Sequence, residues 1–245
     1  MHIVYSQYSQ SQDKTQYVLE EVENIFSPLD HLMVLFCMRN KMIKKSDFVS
    51  KVEEIYDDPV DINTIIDTIK SNLRGINITI EEIICEITGV AYIVFANLAS
   101  YKCLTKIPSM NENEILFYKM LVECIIHSTN GCIPMADILK HRPPNIKTDG
   151  QLPLDKFIAD NKFKVVDGYL CFTPQTIAEL KPIFFENYSN QILKCGICSG
   201  FVFTGIPCND CKSKYHNHCF KKISRDSEEC PNCGKLMNYV NIKLN

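Results

Sequence analysis

The stretch from Cys195 to Cys233 constrains the fold more than any other part of the chain. It carries four pairs of soft ligands: Cys195/Cys198, Cys208/Cys211, His216/Cys219 and Cys230/Cys233. Each pair has two residues between its members, and the pairs are nine, four and ten residues apart. A two-residue spacer lets one tight turn present two side chains to one ion, and zinc takes four tetrahedral sulfur or imidazole ligands. Eight ligands fill two such sites and leave neither an open position, so the expected zinc ions are structural, not catalytic. His218 is adjacent to Cys219 and can hardly share an ion with it. His216, which keeps the common spacer, is the expected eighth ligand. Spacing does not decide which pairs share an ion. The first four cysteines on one ion, or alternate pairs on each, both satisfy it.

A disulfide framework would use the same residues differently, but it needs an oxidising compartment. The sequence has no secretory signal peptide and no apolar run long enough to span a membrane. Six further cysteines, Cys37, Cys85, Cys103, Cys124, Cys132 and Cys171, are scattered in mostly apolar surroundings, as small core residues in a reducing cell interior would be. The overall charge of -3 conceals a split. From residue 191 onward eight Lys/Arg face four Asp/Glu, whereas 18 face 25 before it. An acidic body suits a basic protein partner better than a phosphate backbone, so direct nucleic-acid binding is expected to be weak or absent.

Residues 1–26 begin as a polar tail in which Ser6, Ser9, Ser11 and Thr15 each precede glutamine. Ser27-Pro28 is an N-cap followed by proline at the first helical position. Leu29, Leu32, Met33, Phe36 and Cys37 form one face of the helix that follows. Ser46 and Asp61 are the expected caps of two more helices. After Gly75 the period changes to two, with β-rich runs at 83–87 and 90–98 around Thr88-Gly89. The pattern then recurs: a helix over 114–127, a short strand at Cys132-Ile133, helices opening at Pro134 and near Leu152, and two strands flanking Asp167-Gly168, a strong hairpin signal. A last helix is capped by Thr173 ahead of Pro174. Three helices and a hairpin, twice over, are two winged helices, over 27–107 and 108–190, ahead of a finger over 191–245. The expected third helices carry Asp61, Asp67 and Lys70, and Asp155, Lys156 and Asp160, a poor charge set for entering a DNA groove. The basic loop between Lys140 and Lys147 is the best candidate for any backbone contact.

The ligand order, four cysteines, one histidine and three cysteines, resembles that of RING-variant and PHD-type fingers, which interleave their ligands as a cross-brace. PHD fingers usually carry a tryptophan before the seventh ligand. This chain has no tryptophan, and Glu228 stands there, which favours the RING side. Interleaving implies zinc one on Cys195, Cys198, His216 and Cys219, and zinc two on Cys208, Cys211, Cys230 and Cys233. Tandem winged helices ahead of such a finger resemble the non-SMC element one family, the RING-type subunit of the SMC-five–six complex. The resemblance runs from Leu29 to Met237. It is carried by Tyr92 to Leu98, Glu114 to Ile126, Phe172-Thr173 with the following helix, and Ile197 to Phe220.

The resemblance implies an α+β fold of tandem winged-helix domains and a small two-zinc cross-brace finger. It also implies a nuclear, chromatin-associated place in DNA recombination and repair. The implied partners are a MAGE-family subunit and a kleisin, and with the MAGE subunit the chain would act as a ubiquitin ligase. A RING has no catalytic side chain; it orients a charged ubiquitin-conjugating enzyme. The implied docking residues are Ile197, Phe220 and Pro231, although Phe220 equally suits packing around the ligand turns. One departure stands out. Many active RINGs place arginine just after the last ligand; here Gly234 and Lys235 follow, and lysine lacks arginine's forked donor set. A non-catalytic adaptor of the same complex is the alternative, and a PHD-like histone-tail reader a third. In such a family the Ser/Thr-Gln dipeptides of the tail resemble sites of damage-checkpoint phosphorylation.

Overall fold

The computed structural model describes residues 27–56, 59–98, 110–138, 153–223 and 228–237. The Ser/Thr-Gln dipeptides and the loop from Lys140 to Lys147 lie outside these residues.

The first unit begins with α1 (Pro28–Asn40), entered through a capping box. Ser27 Oγ accepts the Asp30 amide at 3.1 Å, and the Asp30 carboxylate accepts the Ser27 amide at 3.0 Å. Only Met33 and Cys37 of the expected apolar face are buried; Leu29 and Leu32 face solvent. The helix is apolar on more than one side, so periodicity alone chose too wide a face. Next come β1 (Met42–Lys44), α2 (Lys45–Ile55) and α3 (Ile62–Leu73). The cap of α2 is Lys44, without a side-chain bond, while the expected cap Ser46 lies inside the helix and bonds Asp47. Asp61 does cap α3. The strand β1 escaped the sequence reading because three residues are too few to show a period.

Strands β2 (Ile78–Ile84) and β3 (Ala91–Asn97) form an antiparallel hairpin, and β1 adds to β3 to give the order β1-β3-β2. Two bonds close the turn between them, Cys85 N to Val90 O at 2.9 Å and Gly89 N to Cys85 O at 2.8 Å. Helix, strand, two helices and two strands is the winged-helix order. It repeats in α4 (Glu112–His127), β4 (Cys132–Pro134), α5 (Met135–Ile138), α6 (Pro153–Ala159), β5 (Phe163–Val166) and β6 (Tyr169–Phe172). Their sheet order is β4-β6-β5. Asp167 and Gly168 both take positive φ, 51° and 79°, as the tight hairpin turn requires. Helix α4 starts two residues ahead of Glu114, because Asn111 supplies the cap. Pro134 pairs in β4 and does not open α5.

Two joints hold the chain together, the first between the two winged helices and the second between the second of them and the segment that carries the ligand pairs. Helix α7 (Pro174–Asn187), capped by Thr173, lays Ala178 against Val94 and Ala96 on the first sheet. Gln175 Nε2 donates to Phe95 O at 3.2 Å, and Lys181 pairs with Glu81 at 2.5 Å. The other joint is aromatic. Phe203 packs into the second unit's core, with ring centres 5.0 Å from Phe172 and 5.2 Å from Phe184. The finger therefore starts from a fixed platform. Among the described residues no helix is long and apolar enough to cross a membrane.

Candidate metal centres

Three of the four ligand pairs sit in copies of one turn. The residue after the second cysteine takes positive φ and donates back to the carbonyl of the first cysteine. The residues are Ser199 (φ 59°, 2.9 Å), Lys212 (φ 63°, 3.1 Å) and Gly234 (φ 71°, 2.8 Å). The first cysteine's own amide then closes the loop onto the next carbonyl: Cys195 to Gly200, Cys208 to Ser213 and Cys230 to Lys235, at 2.7–2.8 Å. Such a turn leaves both sulfurs on one side, which is the physical content of the two-residue spacer. The fourth pair is built differently. His216 ends β8 (Lys214–His216), which pairs with β7 (Gly205–Pro207), and Cys219 lies in the first turn of α8 (Asn217–Ile223).

The chain brings Cys195, Cys198, His216 and Cys219 into one cluster and Cys208, Cys211, Cys230 and Cys233 into another. Within each, the ligand atoms all lie within 4.8 Å of one another. Cys208 Sγ is 3.7 Å from Cys233 Sγ, and Cys211 Sγ is 3.6 Å from Cys230 Sγ. His216 turns Nδ1 toward its cluster, 3.3 Å from Cys198 Sγ and 3.7 Å from Cys219 Sγ. His218 stacks on His216 with ring centres 4.9 Å apart and belongs to neither cluster. Sulfurs 3.6–3.7 Å apart match the edge of a tetrahedron with metal–sulfur bonds of about 2.3 Å.

The surroundings divide the ligands: Cys195, Cys211 and Cys230 are drawn toward the thiolate. Burial and neighbouring thiols push Cys219 up to about 12, and against the Lys235 amide, burial and the thiols of its cluster push Cys233 up to about 12. Burial works against the Cys195 thiolate, but the amides of Cys198, His216 and Ile197 prevail and bring the thiol down to about 7. Hydrogen bonds from Asn232 and Ser213 bring Cys211 down to about 5. Burial alone would depress His216; a hydrogen bond and the charge of Glu86, with Phe201 O and Cys198, instead push it up to about 10. Its Nε2–H donates to Phe201 O at 2.8 Å, and Glu86 Oε1 stands 3.2 Å from the same nitrogen. Metal at Nδ1 would then displace a proton. Glu86 lies in the turn after β2 and had no place among the residues singled out from the sequence. Its only signal there is an acid inside the apolar run 83–87.

The expected docking residues are placed unequally. Ile197 lies exposed on the first ligand turn, and Pro231 is exposed on the last. Phe220 corrects the expectation: it is fully buried, with its ring centre 5.8 Å from that of Tyr215, inside the finger's core. A fully buried ring cannot touch a docked protein, so its contribution is support from beneath. Lys235, next to the last ligand turn, is paired with Asp210 at 2.8 Å in an exposed contact.

A family model described as a RING-like domain matches residues 195–233. Non-structural maintenance of chromosomes element 1 homologs are similar over most of the chain. The cattle protein is 26% identical over 176 residues, 69% of this chain and 66% of that protein. The human protein is 24% identical over 188 residues, 71% of this chain and 70% of that protein. Non-structural maintenance of chromosomes element 1 of fission yeast is 21% identical over 188 residues, 74% and 79% of the two chains. Among solved structures, a chain of an Nse1-Nse3-Nse4 complex superposes with a TM-score of 0.74 at 17% identity, covering 87% of this chain and 98% of that chain. The RING-like finger, the shared fold and the run of similar sequences agree, and the chain is similar over most of its length to the non-SMC element 1 family.

Proposed function

We propose that this chain is the RING-type subunit of a chromosome-maintenance complex, that it binds two structural zinc ions, and that it promotes ubiquitin transfer by orienting a charged conjugating enzyme. One observation carries the reading: two closed clusters of four soft ligands lie in a RING-like finger that is packed firmly onto a winged-helix body. Sulfur and imidazole donors without carboxylate or an open position suit structural zinc. Cys195, Cys198, His216 and Cys219 would hold one ion, and Cys208, Cys211, Cys230 and Cys233 the other. The similar chain in the Nse1-Nse3-Nse4 complex supports a MAGE-family partner and a kleisin as neighbours, with the winged helices as the docking body. A chromosome-maintenance role places the work in the nucleus. The domain limits proposed for this division of labour are 27–107, 108–190 and 191–245.

The finger would contribute position, not chemistry. Ile197 and Pro231 stand on two ligand turns held by the two ions, so an enzyme gripping both is held in one orientation, which is the contribution a ligase of this type makes. The test is ubiquitin transfer with and without the MAGE-family subunit, using the wild type and Ile197→Asp. A central apolar anchor is worth at least ~2 kcal/mol, about thirtyfold in affinity. Transfer should therefore fall by that order in the variant, while zinc content and partner binding stay unchanged. Transfer by a folded Ile197→Asp chain at the wild-type rate would remove Ile197 from the docking site.

Lys235 favours a second reading, a non-catalytic adaptor. It stands where an active RING commonly has arginine, and it is engaged by Asp210. If the wild-type complex transfers no ubiquitin with a broad panel of conjugating enzymes, the adaptor reading replaces the first.

A further inference from the structure

The most heavily bonded carboxylate among the described residues belongs to Glu86, and it lies far from the finger in sequence. Glu86 occupies the turn between β2 and β3 of the first winged helix and is 7% exposed. Its Oε2 accepts Phe203 N at 3.0 Å, Thr204 N at 2.5 Å and Thr204 Oγ1 at 2.9 Å. Its Oε1 lies 3.2 Å from both Phe203 N and His216 Nε2. The buried Lys214, one strand position beyond Tyr215 from His216, donates to Phe203 O at 2.5 Å and Thr129 O at 3.3 Å and feels the charge of Glu86. A buried carboxylate costs several kcal/mol unless its oxygens are satisfied. Here each polar group within hydrogen-bond distance of it, Phe203 N, Thr204 N, Thr204 Oγ1 and His216 Nε2, is a donor.

We propose that Glu86 is a positioning residue for the first metal cluster: it holds the His216 imidazole with Nε2 protonated and Nδ1 free for the ion, and anchors that cluster to the first winged helix. The proposal rests on the reading of the cluster as a zinc site. A histidine ligand uses one nitrogen for metal, and the bond made by the other nitrogen fixes the ring's tautomer and orientation. Phe201 O supplies the acceptor, and the carboxylate beside it adds negative charge that makes the imidazole a better donor to the ion. The same carboxylate clamps Phe203 and Thr204, so the backbone carrying the Phe201 acceptor is tied to the β2–β3 turn. Both functions come from one side chain of a different domain. The second cluster has no counterpart, because its four ligands are all cysteines.

That asymmetry supplies the test. Zinc affinity is measured on the full chain by competition with a chromophoric chelator, for Glu86→Gln in two backgrounds, wild type and His216→Cys. An amide places an N–H2 group among donors and removes the charge. In the wild-type background one of the two ions should bind about 10–100-fold more weakly, the range usual for loss of such a partner. With cysteine at position 216 there is no ring to orient, and the same change should cost less than about threefold. Equal losses in both backgrounds would overturn the proposal and leave Glu86 as a backbone clamp; no loss in either would overturn it outright. NMR of the His216 ring adds a second readout, while the comparison of the two backgrounds separates ring orientation from the clamp. The ring's Nε2–H should be protected from exchange in the zinc-loaded wild type and lose that protection in Glu86→Gln. Retention of the second ion reports that the variant finger has folded. Should it be lost, Glu86→Asp, which withdraws the charge by one methylene, replaces it with the same opposing outcomes. A wild-type chain that binds no zinc at all would fail the metal reading itself, a result distinct from either variant outcome.

Discussion

The second winged helix and the finger share a boundary but are stabilised by different physics. The winged helix closes around a continuous ring system: Phe157 touches Phe117, Tyr118 and Phe163, and Phe163 and Phe184 both touch Phe172. Burial of rings of that size supplies its stability. The finger's buried core is Val202, Ile206, Tyr215, Phe220 and Met237 with Cys195, Cys208, Cys219 and Cys230. Four of these nine residues are cysteines of the two candidate metal clusters, and an isolated segment this short cannot bury enough surface to fold by itself. The winged helix is held by area and the finger, on the proposed metal reading, by coordination. The difference predicts which perturbation each should survive.

The largest expected effect is on the finger. Structural zinc contributes on the order of 10–16 kcal/mol of apparent binding energy in finger peptides. Cys208→Ser, or a strong chelator, should therefore unfold residues 195–233 and expose them to protease while the winged helices keep their far-ultraviolet circular dichroism. The body should still melt somewhat lower, because Phe203 leaves its core. Loss of both parts in one transition would break the comparison and make the body dependent on its finger.

The same difference in physics decided what could be read from the sequence. Long periodic helices and the Asp167-Gly168 turn were legible because local rules and tertiary packing agree there. The ligand pairs were legible because a two-residue spacer has few other uses, although spacing was silent on which pairs meet. The misses are equally physical. Strand β1 is too short to show a period, and Lys44 caps α2 with no side-chain bond to announce it. Phe220 is apolar whether it serves as surface or core, so only coordinates could assign it to the core. Glu86 was invisible because its partners lie in another domain, and nothing local says that an acid in an apolar run will meet a histidine.

Gly131 tests the joint between the two regions at a smaller energy. It follows α4 with φ 67°, and a Cβ there would stand 2.2 Å from the carbonyl carbon and oxygen of Phe203. Backbone cannot yield as a flexible side chain can. Gly131→Ala combines left-handed strain of about 1–3 kcal/mol with a steric push on the finger's attachment. The expected result is a lower melting temperature for the body, with both metal ions retained and faster protease cleavage near Phe203. Unchanged stability would mean that the two regions are not held against each other at this glycine.

The smallest effect should be confined to the body. Asn111 Oδ1 accepts the Glu114 amide at 3.0 Å, and the Glu114 carboxylate accepts the Asn111 amide at 2.8 Å while also meeting Lys156. Asn111→Ala removes the first of these bonds and should cost ~1 kcal/mol, a fall of about 2–4 °C in the body's melting temperature. Metal content should not change; a loss of zinc in this variant would erase the distinction between area and coordination. The second bond has a pH signature. Burial raises the Glu114 carboxyl, but the Asn111 amide and Lys156 outweigh it and hold the group below the usual carboxylate range. A carboxyl depressed on folding stabilises the fold above its unfolded value of about 4.3, and that contribution is lost as pH falls through the lower folded value. The contribution should be present at neutral pH in both the wild type and Asn111→Ala, since the backbone amide at position 111 survives the substitution. Glu114→Gln removes the titrating group, so thermal melts from pH 6 downward should show a shallower acid decline in that variant alone. An identical decline in all three chains would assign the acid sensitivity to other carboxylates and leave the capping bond as a geometric contact without a measurable charge contribution.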